Sequence, residues 1–237
     1  MDNIRDHYNK QLSSLKNERE SFIGHYQELS QFIKPRRGRF MESDRNKGDK
    51  RYQSIINSVA TQAHKIATAG MLAGTISPAR PWFALETHDP GMMERQEVKD
   101  WLDDVERTLR AIFNQSNFYG QAPALLGELL LFGTGAMSHV DDFENVARFY
   151  THTAGSYMIA QNDRYEVDTV YREFEWTVKH IVDAFGLPNV SDAVKNSYDK
   201  GNYGAWFPVC HAVEPNGEYK LSGILSIDKP FRSVYFE

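Results

Sequence analysis

The sequence predicts an α+β protein, a layer of helices followed by a mostly antiparallel sheet, and three observations carry that prediction. Apolar residues recur at helical spacing as far as Phe132. From Ala136 onward the texture changes to short alternating runs separated by turn residues. Composition is that of a folded chain, since 41% of the 237 residues are hydrophobic, 25% charged and 13% aromatic, which excludes long disorder.

The helical half comes first. Ile4, Tyr8, Leu12, Leu15, Phe22, Tyr26, Leu29 and Ile33 fall almost entirely three, four or seven apart, which predicts a helix over residues 3–33, stopped by Pro35. The run KPRRGRFMESDRNKGDKR, residues 34–51, breaks the periodicity and reads as a basic loop. A second helix is expected from Tyr52 to Leu72, with Ile55, Ile56, Val59, Ala63, Ile66, Ala67 and Gly70 on its packing side. These are mostly small residues, which let backbones approach closely in a bundle or between subunits.

Gly74 closes that helix before TISPARPWF, residues 75–83, where Pro78 and Pro81 bracket Arg80 and deliver Trp82 and Phe83 side by side. Two prolines stiffen the connection, so this stretch reads as a fixed corner between the helical layer and the sheet. Residues 82–87 read as a short strand and DPGMMERQ as a loop. The stripe Val98, Trp101, Leu102, Val105, Leu109, Ile112 and Phe113 predicts the next helix. Pro123 suits the first turn of another, ending at Phe132 before Gly133 and Gly135. Its run ALLGELLLF is half a membrane span in length and carries Glu128, so it reads as a buried helix.

The second half predicts strands over 136–140, 147–152, 157–161 and 165–176, with Asn162-Asp163 as a turn. Short helices follow over 177–185 and, capped by Ser191, to Tyr198. Strands over 205–213 and 219–227 would turn at Pro215-Asn216-Gly217, and PFRSVYFE, residues 230–237, reads as a further strand. The expected division is a helical region, 1–80, and an α+β region, 81–237.

A formal net charge of −5 excludes a global basic footprint, so any nucleic-acid role is local. Cys210 is the single cysteine, which excludes an internal disulfide and an all-cysteine metal site and suits assembly in a reducing cytoplasm. The start MDNIRDHYNKQ lacks the apolar core of a secretory signal.

Three patterns invite chemistry and none completes a site. FGTGAM, residues 132–137, has glycines between a helix and a strand, but phosphate-cradling glycines follow a strand and open a helix, so these read as a helix stop. His139 and Asp141 share a strand face, with His152 and His88 elsewhere, but no third metal ligand is spaced to join them. Cys210 and His211 are adjacent on a strand, hence on opposite faces, and cannot act as nucleophile and base on each other. No catalytic, cofactor-binding or metal-binding residue is therefore assigned. The better candidate is the basic cluster Lys34, Arg36, Arg37, Arg39, Lys47, Lys50 and Arg51, suited to a phosphate backbone or an acidic partner.

The order of these blocks resembles the portal proteins of podovirus-type bacteriophages, or head-to-tail connecting proteins. The matching stretches are FIKPRRGRF (32–40), SIINSVATQAHKIATAGMLAGTISPARPWFALE (54–86), WLDDVERTLRAIFNQSNFY (101–119) and LLLFGTGAM (129–137), with a looser match at TVYREFEWTV (169–178). The resemblance implies a structural ring subunit and not an enzyme. It implies a twelve-fold homo-oligomeric ring at a capsid vertex of the virion, assembled in the host cytoplasm, through which double-stranded DNA is packaged and later ejected. It also implies docking of terminase, coat or scaffold and tail adaptor proteins, with no cofactor and no membrane. In that family this part forms the outer wing and the channel-lining stem comes later, so Glu237 reads as short of the biological C-terminus. The alternatives from other classes are a nucleic-acid-binding module using residues 34–51 and a metal-dependent hydrolase or nuclease built on His139, Asp141 and His152.

Overall fold

The computed structural model describes residues 2–35, 55–220, 222–223 and 225–237. Of these, 2–28 and 155–237 form one compact unit and 29–35 and 55–154 a second. The architecture is α+β, with helices first and antiparallel strands after them.

The first unit is built in three layers. Its sheet has the order β3–β4–β5–β6, all antiparallel, from β3 (Tyr157–Gln161), β4 (Val167–Thr177), β5 (Trp206–Pro215) and β6 (Phe231–Phe236). Helix α1 (Asp2–Ile33) lays Tyr8, Leu12 and Leu15 on one face, against Met158, Tyr171, Cys210 and Ala212. The opposite face carries Phe174, Trp176, Phe207 and Val209, one residue out of phase along the same strands. There Val178 and Ile181 of a helix over Val178–Phe185 and Val194 of one over Asp192–Asp199 complete a second core. Thr177 and Ser191 cap these helices, each side-chain oxygen accepting from a backbone N–H three residues on.

The second unit packs α2 (Val59–Thr75), a short α3 (Pro90–Met93), α4 (Gln96–Gln115) and α5 (Phe118–Phe132) with a hairpin of β1 (Ala136–Asp142) and β2 (Val146–His152). Helix α5 buries Phe118, Ala122, Leu126, Glu128, Leu131 and Phe132. At its end Gly133 takes the left-handed conformation (φ 72°) and its N–H reaches Leu129 O at 3.0 Å, the helix stop expected of FGTGAM. The two helices after β4 complete the count as α6 (Val178–Phe185) and α7 (Asp192–Asp199).

Several expectations need correction. Helix α2 begins at Val59, and residues 55–58 are not helical. No residue of α2 is buried: its intramolecular side is Thr61, His64, Thr68, Met71 and Leu72, whereas Val59, Ala63, Ile66, Ala67 and Gly70, read as the packing side, point outward. Residues 82–87 are not a strand, because nothing pairs with them, and their aromatic content serves packing. Pro123 lies inside α5, which starts at Phe118; the missing N–H falls at the second turn. The described residues among 219–227 do not pair with β5; β6 takes that place, from Cys210↔Phe236 to Pro215↔Phe231. The intervening loop folds over Asn216, only 2% exposed, whose Nδ2 donates to Ile227 O and Lys229 O while its Oδ1 accepts from Glu218 N and Arg232 Nε. Among the described residues no helix is long and apolar enough to cross a membrane.

Candidate functional site

The corner at 78–83 sits where α2 ends. Arg80 Nη2 donates to Ala73 O at 3.0 Å, meeting one of the carbonyls that the last turn of α2 leaves open. A guanidinium at this end also faces the negative pole of the helix. Trp82 is partly buried, its Nε1 donating to Tyr119 Oη at 3.0 Å. Its indole stacks on Phe118 (centroids 6.0 Å apart, 10° between planes) and meets Phe83 edge-on at 4.8 Å. Phe113 and Phe149 continue the aromatic group, and the Arg110 guanidinium lies 5.8 Å from the Phe83 ring centre. Pro78 and Pro81 carry no backbone N–H to donate and stiffen the approach to this group.

Of the basic cluster, Lys34 is described; Arg36, Arg37, Arg39, Lys47, Lys50 and Arg51 lie outside the described residues. The chain reaches Lys34 in a fastened way: Thr61 Oγ1 donates to Ile33 O at 3.1 Å and Ser30 Oγ to Lys34 O at 3.3 Å. A Cβ added at Gly127 would sit 3.0 Å from Lys34 Nζ and 3.3 Å from His64 Cε1. Glycine at 127 is thus what admits both side chains against α5, and His64 Nε2 donates to Gly127 O at 2.9 Å.

Beside it, Glu128 is fully buried. Its Oε2 accepts from Ala154 N at 2.9 Å and Thr153 Oγ1 at 3.2 Å, tying the exit of β2 to α5. A buried carboxylate is tolerable only with such partners.

In the first unit a second polar cluster joins α1 to the sheet. Glu214 accepts from Tyr171 Oη at 2.9 Å and lies 3.3 Å from His7 Nε2. Burial, reinforced by the Glu214 carboxylate, pushes the Tyr171 phenol far up, and the same causes raise Tyr8. Lys16 pairs with Glu173 at 2.6 Å, and Arg19 Nη1 donates to Gly155 O at 2.7 Å. On the other sheet face, Arg172 Nη2 donates to His211 Nδ1 at 3.0 Å, so His211 Nε2 carries the proton that reaches Ser233 Oγ at 2.8 Å. Burial lowers Arg172. Cys210 and His211 point to opposite faces as expected, Cys210 into the core under α1 and His211 stacked on Tyr235, with ring centres 4.1 Å apart and planes nearly parallel.

The residues of the metal reading do not converge. Register Ser138↔Tyr150 and Ala136↔His152 puts His152 on the Ser138 face, where its Nε2 is 2.9 Å from Ser138 Oγ, while His139 lies on the other face against Phe149. Among the described residues no group of three or more His, Cys, Asp and Glu side chains is arranged to hold a metal ion.

Within each unit the polar groups described above fasten one element to another. The family model for "Bacteriophage head to tail connecting protein" matches residues 5–237. The chain belongs to that family. The chain is 45% identical over 228 residues to a protein named "Portal protein" from Salmonella phage epsilon15, covering 96% of the chain and 41% of that relative. It is 40% identical over 223 residues to the "Probable portal protein" of Bordetella phage BPP-1, covering 94% of the chain and 40% of that relative. The chain thus spans about two-fifths of the length of these curated relatives.

Sequence reasoning passed over the residues that fasten the β1–β2 hairpin. Asn117 pairs with the backbone of Phe149 twice, Nδ2 donating to Phe149 O and Oδ1 accepting from Phe149 N, both at 2.8 Å. Gln121, one turn on, accepts from Thr151 N at 3.0 Å through Oε1 and from Thr151 Oγ1 through its carbonyl. The usable signal was the i, i+4 spacing of two amides at the polar start of an otherwise apolar helix.

Proposed function

We propose that this chain serves as a structural subunit of a phage head-to-tail connector, a closed ring at one capsid vertex through which DNA enters during packaging and leaves on ejection. Family membership across residues 5–237 is the observation that carries this reading. A ring of identical subunits needs a head-to-tail contact surface on each copy and no catalytic constellation. The outward stripe of α2 supports that requirement: Val59 and Ile66 are exposed apolar residues on a face otherwise made of Ala63, Ala67 and Gly70, close enough in size for another helix to approach. The stiff corner from Pro78 to Phe83, with Arg80 on Ala73 O, holds that face at a fixed angle to α4 and α5.

In this reading the copy number is twelve, the capsid vertex of the virion is the destination, and terminase, coat or scaffold and tail adaptor proteins dock on the assembled ring. The basic residues Lys34 to Arg51 supply a local contact to DNA or to an acidic partner. Electron microscopy of the full-length chain tests the proposal. Rings with a central hole are expected, and a chain that stays monomeric at high concentration refutes it. Replacing Ala63 and Ala67 by Glu on α2 should leave the subunit folded, because neither is buried, and should abolish rings.

A further inference from the structure

The β1–β2 hairpin is held from one side and displayed on the other. Ala147 and Phe149 are buried, and Asn117 and Gln121 bind the backbone of β2. The opposite face presents Val140, Val146 and Tyr150, all exposed, and at the tip Phe143 is fully exposed. An aromatic in water on a loose loop would be ordinary. This tip is not loose. Asp142 accepts from Glu144 N and Arg148 Nε, each at 3.0 Å, and Ala147 N donates to Asn145 O at 2.7 Å. Val146, a β-branched residue, is held in the left-handed region at φ 66°. Such a conformation persists only where the surroundings impose it, so the turn that carries Phe143 is fixed.

We propose that this hairpin is a docking knob: Phe143, with Val140, Val146 and Tyr150 behind it, inserts into an apolar pocket rimmed by Lys or Arg on a different protein. A preorganised aromatic anchor is the kind of residue that dominates interface energy. Charge selects the partner. Asp141, Asp142 and Glu144 form an acidic collar around Phe143 in the sequence, and Arg148, the first cation beyond it along the chain, is engaged by Asp142. This collar repels phosphates, which rules against nucleic acid and anionic lipid, and it attracts a basic rim. A second copy of this chain is a poor match, since the apolar cavity it offers beside Ile181, Phe185, Val209 and Tyr235 has Asn189 and Glu237 in its lining and no Lys or Arg. The inference goes beyond the ring reading and stands apart from it, because the hairpin's geometry is complete in one chain.

The test places the photo-cross-linker p-benzoylphenylalanine at Phe143 in the full-length chain, in cells producing the phage. Tyr165, 84% exposed at another turn, is the control position. Cross-linked peptides are identified by mass spectrometry, and hydrogen exchange of β1 and β2 amides checks that the hairpin is intact. The expected product at Phe143 is one dominant protein other than this chain, joined at a peptide with Lys or Arg nearby. Its yield should fall about fivefold or more between roughly 0.1 and 0.5 M salt, and likewise in the double variant Asp141→Asn, Glu144→Gln. A product joining two copies of this chain, a spread of proteins like that from Tyr165, or a yield indifferent to salt and to the double variant would overturn it. Rings seen by microscopy alongside such a result would leave the connector reading standing and remove this one alone.

Discussion

Replacing Trp82 by alanine probes whether the corner is structural. The indole stacks on Phe118, meets Phe83 edge-on and donates to Tyr119. If burial removes about 150 Å² of it from water, transfer at ~25 cal/mol per Å² is worth about 4 kcal/mol. A compact unfolded chain already hides part of that area, which brings the figure to about 3 kcal/mol. The hydrogen bond to Tyr119 adds about 1 kcal/mol. Because Trp82 is not fully buried, water fills the space it leaves and the cavity penalty stays small. The expected loss is therefore about 3–4 kcal/mol, read from the urea transition of the full-length chain and from amide exchange in α5 and β2. Exchange through opening of that region should quicken by at least about a hundredfold. Trp82→Phe keeps a ring and loses the N–H, and should cost a smaller amount, about 1–2 kcal/mol. A loss below about 1 kcal/mol for alanine, or exchange unchanged in α5, would refute the packing argument.

Three further outcomes follow from the same structure. Glu128→Ala strands the Ala154 N–H and Thr153 hydroxyl in the interior and should cost about 3 kcal/mol, with Glu128→Gln milder; calorimetry of both variants checks the ranking. Asn216→Ala removes four hydrogen bonds at once and should free the loop before β6, seen as fast proteolysis between residues 217 and 229 with the sheet still folded. The Glu144 N–H and Arg148 hold the Asp142 carboxyl below its ordinary range. Its folded value lies under its unfolded one, so its contribution is complete above about pH 4 and fades as pH falls through the lowered value. Protection of the hairpin amides, corrected for the intrinsic pH dependence of exchange, should fall there in the wild type and stay level over that window in Asp142→Asn.

Much of the fold was legible because periodicity is a physical demand. A helix that lies on a sheet must repeat its apolar residues every three or four positions, and Tyr8, Leu12 and Leu15 do so and are in the core. What periodicity cannot report is which side of a helix the rest of the chain will choose. Small residues on α2 look like a packing face, but α5 takes the side of His64, since Gly127 leaves room for an imidazole. Strand content misled at residues 82–87, where Trp82 and its neighbours pack without a neighbouring backbone to pair with, and at 219–227, where Tyr219, Leu225 and Ile227 are exposed. Strand formation needs a partner, and partnership is non-local. The fastening residues were the least legible: Glu128, Asn117, Gln121 and Asn216 act on groups far along the chain, and a polar residue in an apolar run announces only that some partner exists.

The placement of Cys210 gives the first unit a readout of its own. The thiol lies beneath α1, in the core made with Tyr8 and Leu15, so a reagent reaches it when that helix lifts. A buried thiol is inert until uncovered. The rate at which a slow alkylating agent labels Cys210 in native buffer therefore times the departure of α1 from the sheet. Comparing that rate at low and high protein concentration would measure how far any self-association clamps α1 in place, without a substitution.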